Sequence, residues 1–486
     1  MTEELQRPGG AVSGDEARSL QGKRVGLIRP PSARRRATFF LSKPPLNLAM
    51  LGAWLESHGA KVEIRDLDVE PEVDLEPWLD RFRPDLLGFT AMTPTILQAA
   101  RLAARIKAHA PRLPIVAGGP HVSALPERSL AEFPGFDYII RGEGELPLKA
   151  LLEALPAGRS SDVPGLSWRE GAAIRTNPPP PRIENLDALP PANRELLPRG
   201  RYTAPGFRGF AGKNRTSCDV FTARGCVGNC LFCVSQDRRV VYRSAAHVLT
   251  ELRLCREKYR ADHILFLDDT FTSNPDRLPE IFRYLRDQRM VWHCTTRVNE
   301  VTPALLREMK QSGCHGIVFG IESGSPRLLR QIRKGITVEQ ATAAFDAAHA
   351  AGIPQLEADF ILGAHPSETR EDIAQSVALI KRLRPHLLIV SIAVPYPGTP
   401  LNALMRERGL LGDDTPWDEF VLLGAKPSWR TENFSLRELT RIQKRLLFRH
   451  YFSFTFLRHI GRGRNGWSGL KYYLKAAYSF FRLPTH

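Results

Sequence analysis

The sequence predicts an α/β protein with two successive domains, a doubly wound parallel sheet followed by a partial (β/α)6 barrel and a helical C-terminal region. Short apolar runs alternate with stretches of helical spacing twice along the chain, which is typical of βαβ units. A proline-rich stretch separates the two series. The chain has 486 residues, too many for one compact core, so two or three domains are expected.

The first series predicts a Rossmann-like domain over residues 23–156, preceded by a disordered leader over residues 1–22. Right-handed crossovers place its ligand at the carboxyl ends of the strands. The last predicted strand is Tyr138–Ile140. The other predicted strands are Arg24–Ile28, Lys61–Ile64, Leu86–Thr90 and Pro114–Ala117, with helices at Leu46–His58, Thr95–His109 and Leu146–Leu155.

Residues 157–215 contain four successive prolines and predict a semi-rigid, extended linker. The second series predicts the barrel over residues 216–425, with function at the carboxyl ends of its strands. Residues 426–486 are expected to form a basic, aromatic helical region. The six predicted barrel strands are Val220–Thr222, Ile264–Leu267, Val291–Thr295, Gly316–Ile321, Leu356–Leu362 and Leu387–Val394, with helices such as Ala246–Glu257 and Pro303–Gln311.

The composition limits the setting in which the protein works. A formal net charge of +16 favours acidic partners, whether nucleic acid, anionic lipid or an acidic substrate. An odd count of seven cysteines in a large chain does not fit a secreted disulfide framework. The N-terminus lacks the apolar segment of a signal peptide, and no run reaches the roughly 20 apolar residues of a membrane span. We expect a cytoplasmic protein, with peripheral contact at a membrane surface as the further option.

Three cysteines, Cys226, Cys230 and Cys233, follow the first predicted barrel strand with C-x3-C-x2-C spacing. Gly225 and Gly228 allow the loop to fold tightly, so the three thiolates can converge on one metal corner. Soft thiolates select iron–sulfur or zinc, and a closed structural zinc site needs four ligands. A [4Fe–4S] cubane with one open iron fits three ligands better. Zinc and plain buried cysteines are the alternatives.

The cysteine motif, with aromatic Phe232 before its last cysteine, resembles the signature of the radical S-adenosylmethionine (SAM) superfamily over about residues 216–425. The resemblance implies that SAM chelates the open iron and that one electron cleaves it to a 5′-deoxyadenosyl radical. It further implies a cofactor contact for Phe232 and SAM contacts at two strand ends, at Asp268 and Asp269 after the second strand and at Glu322 and Ser323 after the fourth.

Two further strand ends match the same pattern less closely. Gly363 ends the fifth strand, and Tyr396 follows the sixth. The loop after Gly363 carries His365, where relatives commonly have a Gly-Leu-Pro-Gly run. His365 is either a tolerated loop substitution, the interpretation we favour, or a functional side chain. The sequence designates no catalytic residue.

The first domain resembles the cobalamin-binding domain of many radical SAM enzymes. Cobalamin contacts are therefore implied for residues that follow three successive strands, although glycines there also suit ordinary βα turns. Many cobalamin domains carry D-x-H-x-x-G, but here Asp68 stands in place of the histidine, so no histidine ligand from this motif is expected below cobalt. The implied contacts are Thr90, Thr93, Gly118, Gly119, His121, Gly142 and Glu143.

The C-terminal region interleaves basic and aromatic residues. From Arg441 onward it has seven arginines, three lysines and no acidic residue. A helical cap on the barrel, a membrane-surface helix and a nucleic-acid surface are the three interpretations. No nucleic-acid-binding module is recognisable, so we expect no nucleic-acid partner.

Taken together, the resemblances imply a cobalamin-dependent radical SAM methyltransferase that methylates an unactivated carbon through a 5′-deoxyadenosyl radical and methylcobalamin. An oxidative cyclisation or rearrangement, such as ring closure of magnesium-protoporphyrin ester, is the alternative with the same cofactors. A zinc-stabilised nucleic-acid-binding protein is the alternative of another class. The expected partners are a small-molecule or lipid-like substrate and an electron donor such as flavodoxin or ferredoxin.

Overall fold

The computed structural model describes residues 18–32, 43–198, 200–202, 216–234, 239–420, 429–453 and 456. The chain divides after Thr203 into two compact units, each built on its own sheet.

The sheet of the first unit confirms the predicted doubly wound domain. Its strand order is β2-β1-β3-β4-β5-β6-β7, and the first five strands are parallel. In the order 2-1-3-4-5, the chain moves from β1 to one side of the sheet for β2 and to the other side for β3. The gap between β1 and β3 is therefore the topological switch point of a doubly wound sheet. The strands are β1 (Arg24–Arg29), β2 (Lys61–Asp66), β3 (Leu86–Thr90), β4 (Ile115–Gly118), β5 (Tyr138–Ile140), β6 (Leu166–Glu170) and β7 (Ala173–Thr176).

Helices accompany this sheet, and all three predicted ones are present. Three more were not predicted, because each has eight residues or fewer and offers little periodicity. One of them, α2, packs Trp78 so closely against the sheet that a Cβ on Gly26 would lie 2.7 Å from its ring. The helices are α1 (Leu46–Ser57), α2 (Leu75–Phe82), α3 (Ile96–His109), α4 (Pro120–Ala124), α5 (Pro126–Glu132) and α6 (Glu145–Ala154).

The prediction that Tyr138–Ile140 is the last strand of the first sheet is wrong. Strand β6 pairs antiparallel with β5, and β7 pairs antiparallel with β6, within the stretch predicted as a linker. Strand β7 is mostly exposed, so it lacks the apolar alternation that identifies strands in a sequence. The proline run that follows packs back on this sheet, since Pro180 lies 2.6 Å from the position of a Cβ on Gly165.

The second unit confirms the predicted partial barrel. Six parallel strands lie in the consecutive order β15-β14-β13-β12-β11-β8, which leaves β8 and β15 as the two edges of an open barrel. A two-stranded ribbon of β9 and β10 stands beside it. The strands are β8 (Ser217–Val220), β9 (Ala223–Arg224), β10 (Val241–Tyr242), β11 (His263–Phe266), β12 (Val291–Thr296), β13 (Cys314–Glu322), β14 (Gln355–Leu362) and β15 (Leu387–Ile392).

Serine or threonine side chains cap the amino ends of most helices in this unit, and the caps fix where those helices begin. Thr302, for example, accepts the Leu305 backbone N–H at 3.1 Å at the start of α9. The helices are α7 (Ala245–Glu257), α8 (Leu278–Asp287), α9 (Pro303–Gln311), α10 (Pro326–Gln331), α11 (Val338–Ala350), α12 (Arg370–Leu383), α13 (Pro400–Glu407) and α14 (Leu436–Tyr451).

The last described helix, α14, covers the edge strand β15. Its Tyr451 hydroxyl donates to the Leu388 carbonyl at 2.9 Å, and its Gln443 amide donates to the Val390 carbonyl at 2.7 Å. The predicted helical C-terminal region therefore begins as a helix packed on the barrel. Predictions for residues 1–17 and 457–486 lie outside the described residues. In the part of the chain that the structure describes, no helix has the length and apolar character needed to cross a membrane.

Candidate active site

The three predicted metal ligands share one loop that starts at the carboxyl end of β8. Cys230 is buried, whereas Cys226 and Cys233 are half-buried. The Cys233 N–H donates to the Cys230 carbonyl at 3.1 Å, and the Gly228 N–H donates to Cys226 Sγ at 3.4 Å. Within the described ranges, no three His, Cys, Asp or Glu side chains are arranged to hold a single metal ion. Three soft donors with a backbone N–H on sulfur fit the open-iron cubane predicted from their spacing.

Backbone hydrogen bonds hold the cysteine loop to two other parts of the barrel. The Leu231 N–H donates to the Ile332 carbonyl, which follows α10, at 2.9 Å. The Leu231 carbonyl accepts the Leu401 N–H, at the start of α13, also at 2.9 Å. Phe232, which lies between Cys230 and Cys233 in the sequence, is half-buried. The loop is therefore fixed at both strand edges of the barrel, because Leu231 follows β8 and Leu401 follows β15.

Asp268, which follows β11, supports the beginning of the cysteine loop. Its carboxylate accepts the backbone N–H groups of Thr222 and Ala223 at 2.6 and 3.1 Å, and also the Thr222 hydroxyl. Arg277 lies 3.5 Å away, and both side chains are at most 5% exposed. Burial raises the pKa of the Asp268 carboxyl, while Arg277 and these donors oppose the rise. This geometry favours a supporting role for Asp268 over direct contact with SAM.

Asp269, the next residue, is the exposed carboxylate at this strand end. Surrounding protein atoms and the neighbouring Asp268 raise its pKa. Burial raises the pKa of the Cys226 thiol, and the charge of Asp269 adds to that rise. Asp269 is consequently the better placed of the two aspartates to accept a hydrogen bond from the SAM amino group.

Glu322 ends β13 in a left-handed conformation, with φ of 69°, which is rare for a residue other than glycine. Its carboxylate pairs with Lys334 Nζ at 2.7 Å, and both side chains are less than 10% exposed. Buried strain at a strand end is often found at functional sites. The pair supplies both a carboxylate and an ammonium group at the predicted SAM site.

Ser323 is fully buried and bonds within its own loop. Its hydroxyl accepts the Ser325 N–H at 3.0 Å and lies 3.3 Å from the Ser376 hydroxyl on α12. A Cβ on the next residue, Gly324, would lie 2.5 Å from the Gln375 carbonyl. The Ser-Gly pair thus lets the β13 loop approach α12 closely, which favours a structural role for Ser323.

The loop after β14 has the unusual His365. Gly363 turns the chain with φ of 71°, and Glu368, almost fully buried, accepts the Gly363 N–H. The His365 Nδ1 accepts the Ser367 N–H at 3.2 Å, so a neutral ring carries its proton on Nε2. Burial and the nearby Arg408 lower the pKa of His365 and favour that neutral form. These bonds support the interpretation of His365 as a loop residue. Tyr396 stands among buried residues after β15, where burial raises its pKa to about 12.

Sequence reasoning missed Arg297, which follows β12, the third barrel strand. Arg297 is 7% exposed, and its guanidinium donates to the Lys334 carbonyl. A Cβ on Gly228 would lie 2.8 Å from its Nη1 and 3.4 Å from Cys226 Sγ. The signal was available, because a charged residue directly after a buried strand of a βα barrel stands at the functional end.

The implied cobalamin contacts lie at the carboxyl edge of the first sheet. Gly119 has φ of 111°, and a Cβ there would lie 2.7 Å from the Ala91 carbonyl, so only glycine lets the loops after β3 and β4 meet. Thr93 and His121 are buried, and their Oγ1 and Nδ1 lie 3.1 Å apart. Burial lowers the pKa of His121 to about 4, which keeps the ring neutral.

The surface around these loops suits a flat ligand with apolar parts. Thr90 and Gly118, which end neighbouring strands, are both partly exposed. A Cβ on Gly118 would meet nothing closer than 3.9 Å. Met92 after β3 and Leu146 after β5 are 48% and 37% exposed, and β4 with its glycines lies between those strands. A partly exposed glycine step flanked by apolar side chains fits the face of a corrin.

The loop after β5 is shared between this edge and the linker. Gly142 is exposed and its N–H donates to the Ser123 hydroxyl at 3.1 Å. Glu143 accepts the Ile183 N–H at 2.9 Å, so one of its oxygens holds the segment that follows the proline run. Gly142 therefore remains the better candidate for a ligand contact.

Asp68, which stands where many cobalamin domains have histidine, bonds to the end of β1. Its carboxylate lies 3.2 Å from Arg29 Nη2 and accepts the Ser32 hydroxyl at 2.8 Å. The adjacent Asp66 pairs with Arg29 at 3.2 Å and accepts the Tyr202 hydroxyl at 2.9 Å. The motif that elsewhere offers an imidazole here forms an ion-pair network that ties the loop after β1 to β2.

Both units match known families. The B12 binding domain matches residues 36–152, and the Radical SAM superfamily matches residues 220–380. The matched segments include the glycine loops of the first sheet and the cysteine loop of the second. The chain belongs to the radical SAM enzymes that carry a B12-binding domain, and its cofactors are a [4Fe–4S] cluster, SAM and cobalamin.

Individual relatives agree with that family. The chain is 34% identical over 437 residues to an uncharacterized methyltransferase of Pyrococcus horikoshii, covering 88% of this chain and 92% of the relative. It is 26% identical over 396 residues, 78% of this chain and 69% of the relative, to the anaerobic magnesium-protoporphyrin IX monomethyl ester cyclase of Rubrivivax gelatinosus. The solved structure of the cobalamin-dependent enzyme OxsB with aqua-cobalamin and SAM bound has a TM-score of 0.71 at 19% identity, covering 94% of this chain and 72% of that one.

Proposed function

We propose that this protein is a cobalamin-dependent radical SAM methyltransferase that methylates an unactivated carbon. The observation that carries the proposal is the cysteine loop at the functional end of a partial barrel, in a chain that also has a B12-binding domain. The 34% identity to a methyltransferase over most of both chains favours methyl transfer over other outcomes of the same radical chemistry.

When bound, the cluster and SAM supply a 5′-deoxyadenosyl radical, and cobalamin supplies the methyl group. Cys226, Cys230 and Cys233 hold the cluster. Asp269 orients SAM by accepting a charge-assisted hydrogen bond from its amino group. Asp268 acts indirectly, because it fixes the backbone that leads into the cysteines.

Other side chains contact the polar groups of SAM and the corrin of cobalamin. The Glu322–Lys334 pair presents fixed charges to the polar groups of SAM. The glycines of the first sheet admit the corrin, and the neutral His121 holds the Thr93 loop in place by its 3.1 Å contact. Thr90 and Gly142 complete the edge that the corrin covers.

The substrate class and partners follow from the charge and from the chemistry. We infer a small-molecule or lipid-like substrate and a low-potential electron donor such as flavodoxin or ferredoxin, in the cytoplasm. The basic C-terminal region supports a peripheral contact with anionic membranes. Its helix α14 also packs on the barrel, which supports the interpretation as a cap.

The test is anaerobic reconstitution followed by turnover. About four iron and four sulfide per chain, with corrin absorption after loading, are expected, whereas one zinc would support the alternative class. SAM with a deuterated methyl group is then incubated with the enzyme, a reductant and a small-molecule extract. A labelled product that requires Cys226 is expected. Deoxyadenosine without any labelled product would contradict methyl transfer.

Ring closure of a magnesium-protoporphyrin ester is the second candidate, favoured by the 26% identity to the cyclase of Rubrivivax gelatinosus. Supplying magnesium-protoporphyrin IX monomethyl ester under the same conditions separates the two. A new ring without the deuterated methyl group would identify the cyclase reaction.

A further inference from the structure

Arg297 lies beside the cysteine loop, and no ion pair joins it to a carboxylate of the described residues. Its Nη2 donates to the Lys334 carbonyl, and its Nη1 borders Gly228 next to Cys226. Its Nε–H has no hydrogen-bond partner among the described residues, although the side chain is only 7% exposed. Leaving a buried donor unsatisfied is costly, so such a group commonly faces an acceptor that is bound separately.

Among the described buried cations Arg277, Arg297 and Lys334, Arg297 is the one that has no ion pair. Lys334 is neutralised by Glu322 at 2.7 Å, and Arg277 by Asp268 at 3.5 Å. No ion pair of Arg297 occurs in the described part of the chain. Gly335, with φ of 68°, keeps the other side of the guanidinium clear, since a Cβ there would lie 3.3 Å from its Nη2.

We propose that Arg297 sets the reduction potential of the cluster, as a positioning residue that holds a positive charge against the Cys226 corner. The inference rests on the proposed assignment of the three cysteines as ligands. One-electron reduction adds a negative charge to a group that is already anionic through its thiolates. A fixed cation in a water-poor site stabilises the reduced form more than the oxidised form, and hydrogen bonds near cluster sulfur act in the same direction.

Gly228 in the cysteine loop makes room for the guanidinium of Arg297. Gly228 has an ordinary backbone conformation, so its missing side chain is not explained by φ. It is explained by space, because a methyl group would lie 2.8 Å from Arg297 Nη1 and 3.4 Å from Cys226 Sγ. The glycine between the first two cysteines thus makes room for the guanidinium.

The experiment is a redox titration of the reconstituted full chain, followed by electron paramagnetic resonance of the reduced cluster, with iron counted in each sample. Arg297→Gln is expected to lower the equilibrium constant for reduction by about tenfold or more, which is 59 mV for one electron. Arg330→Gln is the matched control. It removes the same charge from an exposed position on α10, where solvent screens it, and its potential is expected to equal that of the wild type.

Gly228→Ala is the second variant and decides the question if Arg297→Gln fails to retain iron. It keeps the charge but displaces the guanidinium from the cluster, so a smaller shift in the same direction is expected. If both variants bind a full complement of iron and keep the reduction potential of the wild type, the role of Arg297 is overturned and the cysteine assignment stands. A wild-type chain that binds no iron would instead overturn the cysteine assignment and this inference with it.

Discussion

Replacing Asp268 by asparagine is expected to loosen the base of the cysteine loop. Asparagine keeps the size and one carbonyl acceptor, but it loses the charge that faces Arg277 at 3.5 Å, where the two side chains are 1% and 5% exposed. Removing one partner of a buried ion pair costs about 3–5 kcal/mol. Arg277 retains its hydrogen bond to the Thr222 carbonyl at 2.8 Å, which places the cost near the lower end, about 3 kcal/mol.

A loss of about 3 kcal/mol corresponds to a roughly hundredfold larger opening constant for the strands concerned. Amide hydrogen exchange followed by mass spectrometry measures it locally, in peptides from β8 and β11. Iron content after reconstitution is expected to fall in parallel. The matched control is Asp269→Asn, next in the chain but exposed, which is expected to change stability by less than about 0.5 kcal/mol while weakening SAM binding. Equal exchange rates in Asp268→Asn and wild type would refute the supporting role.

Three further predictions concern buried groups whose environment the structure defines. The pKa of His121 is about 4, below the usual 6.5, so the unfolded chain takes up the proton first and stability falls as pH drops between these values. His121→Gln should flatten that fall in urea titrations, and an unchanged pH profile would count against it. The pKa of Glu368 is raised to about 8 from 4.5, so the folded chain holds the proton and its contribution is lost as pH rises through that window. Glu368→Gln should therefore gain stability over wild type toward pH 8, and no gain would exclude a buried neutral carboxyl. Gly119→Ala should cost about 1–3 kcal/mol because of its φ and the Ala91 carbonyl 2.7 Å away, whereas Gly118→Ala should fold normally and weaken hydroxocobalamin binding, measured by absorbance.

The sequence was most informative where a signal is local. Buried parallel strands show as apolar runs, and the C-x3-C-x2-C spacing lies within one loop, so the barrel and the cysteine loop were found together. The residues predicted after the strands lie together at the carboxyl end of the sheet, because parallel strands share one direction. The first barrel strand was placed a few residues late, at Val220–Thr222 instead of Ser217–Val220.

What the sequence did not give depends on contacts between distant segments. Two adjacent aspartates look alike in a sequence. In the structure, Asp268 accepts hydrogen bonds from Thr222 and forms an ion pair with Arg277, whereas Asp269 is exposed. Ser323 similarly bonds to α12, which is more than 50 residues away in the chain. Strands β6 and β7 pair antiparallel at the β5 edge of the parallel sheet. Neither the spacing of their apolar residues nor their amino-acid composition identified them as strands in the sequence.

The hydrogen bond from the Leu401 N–H to the Leu231 carbonyl joins the segments that follow the first and last strands of the open barrel, so cluster binding and the separation of those strands are linked. Anything that stiffens the cysteine loop restricts how far the first and last strands can spread, since the Leu401 N–H reaches across the opening to the same residue. Thermodynamic linkage is reciprocal, so a conformer in which β8 and β15 lie further apart binds the cluster less tightly by the same factor. The separation of β8 and β15 is then set in part by the bound cluster rather than by the polypeptide alone.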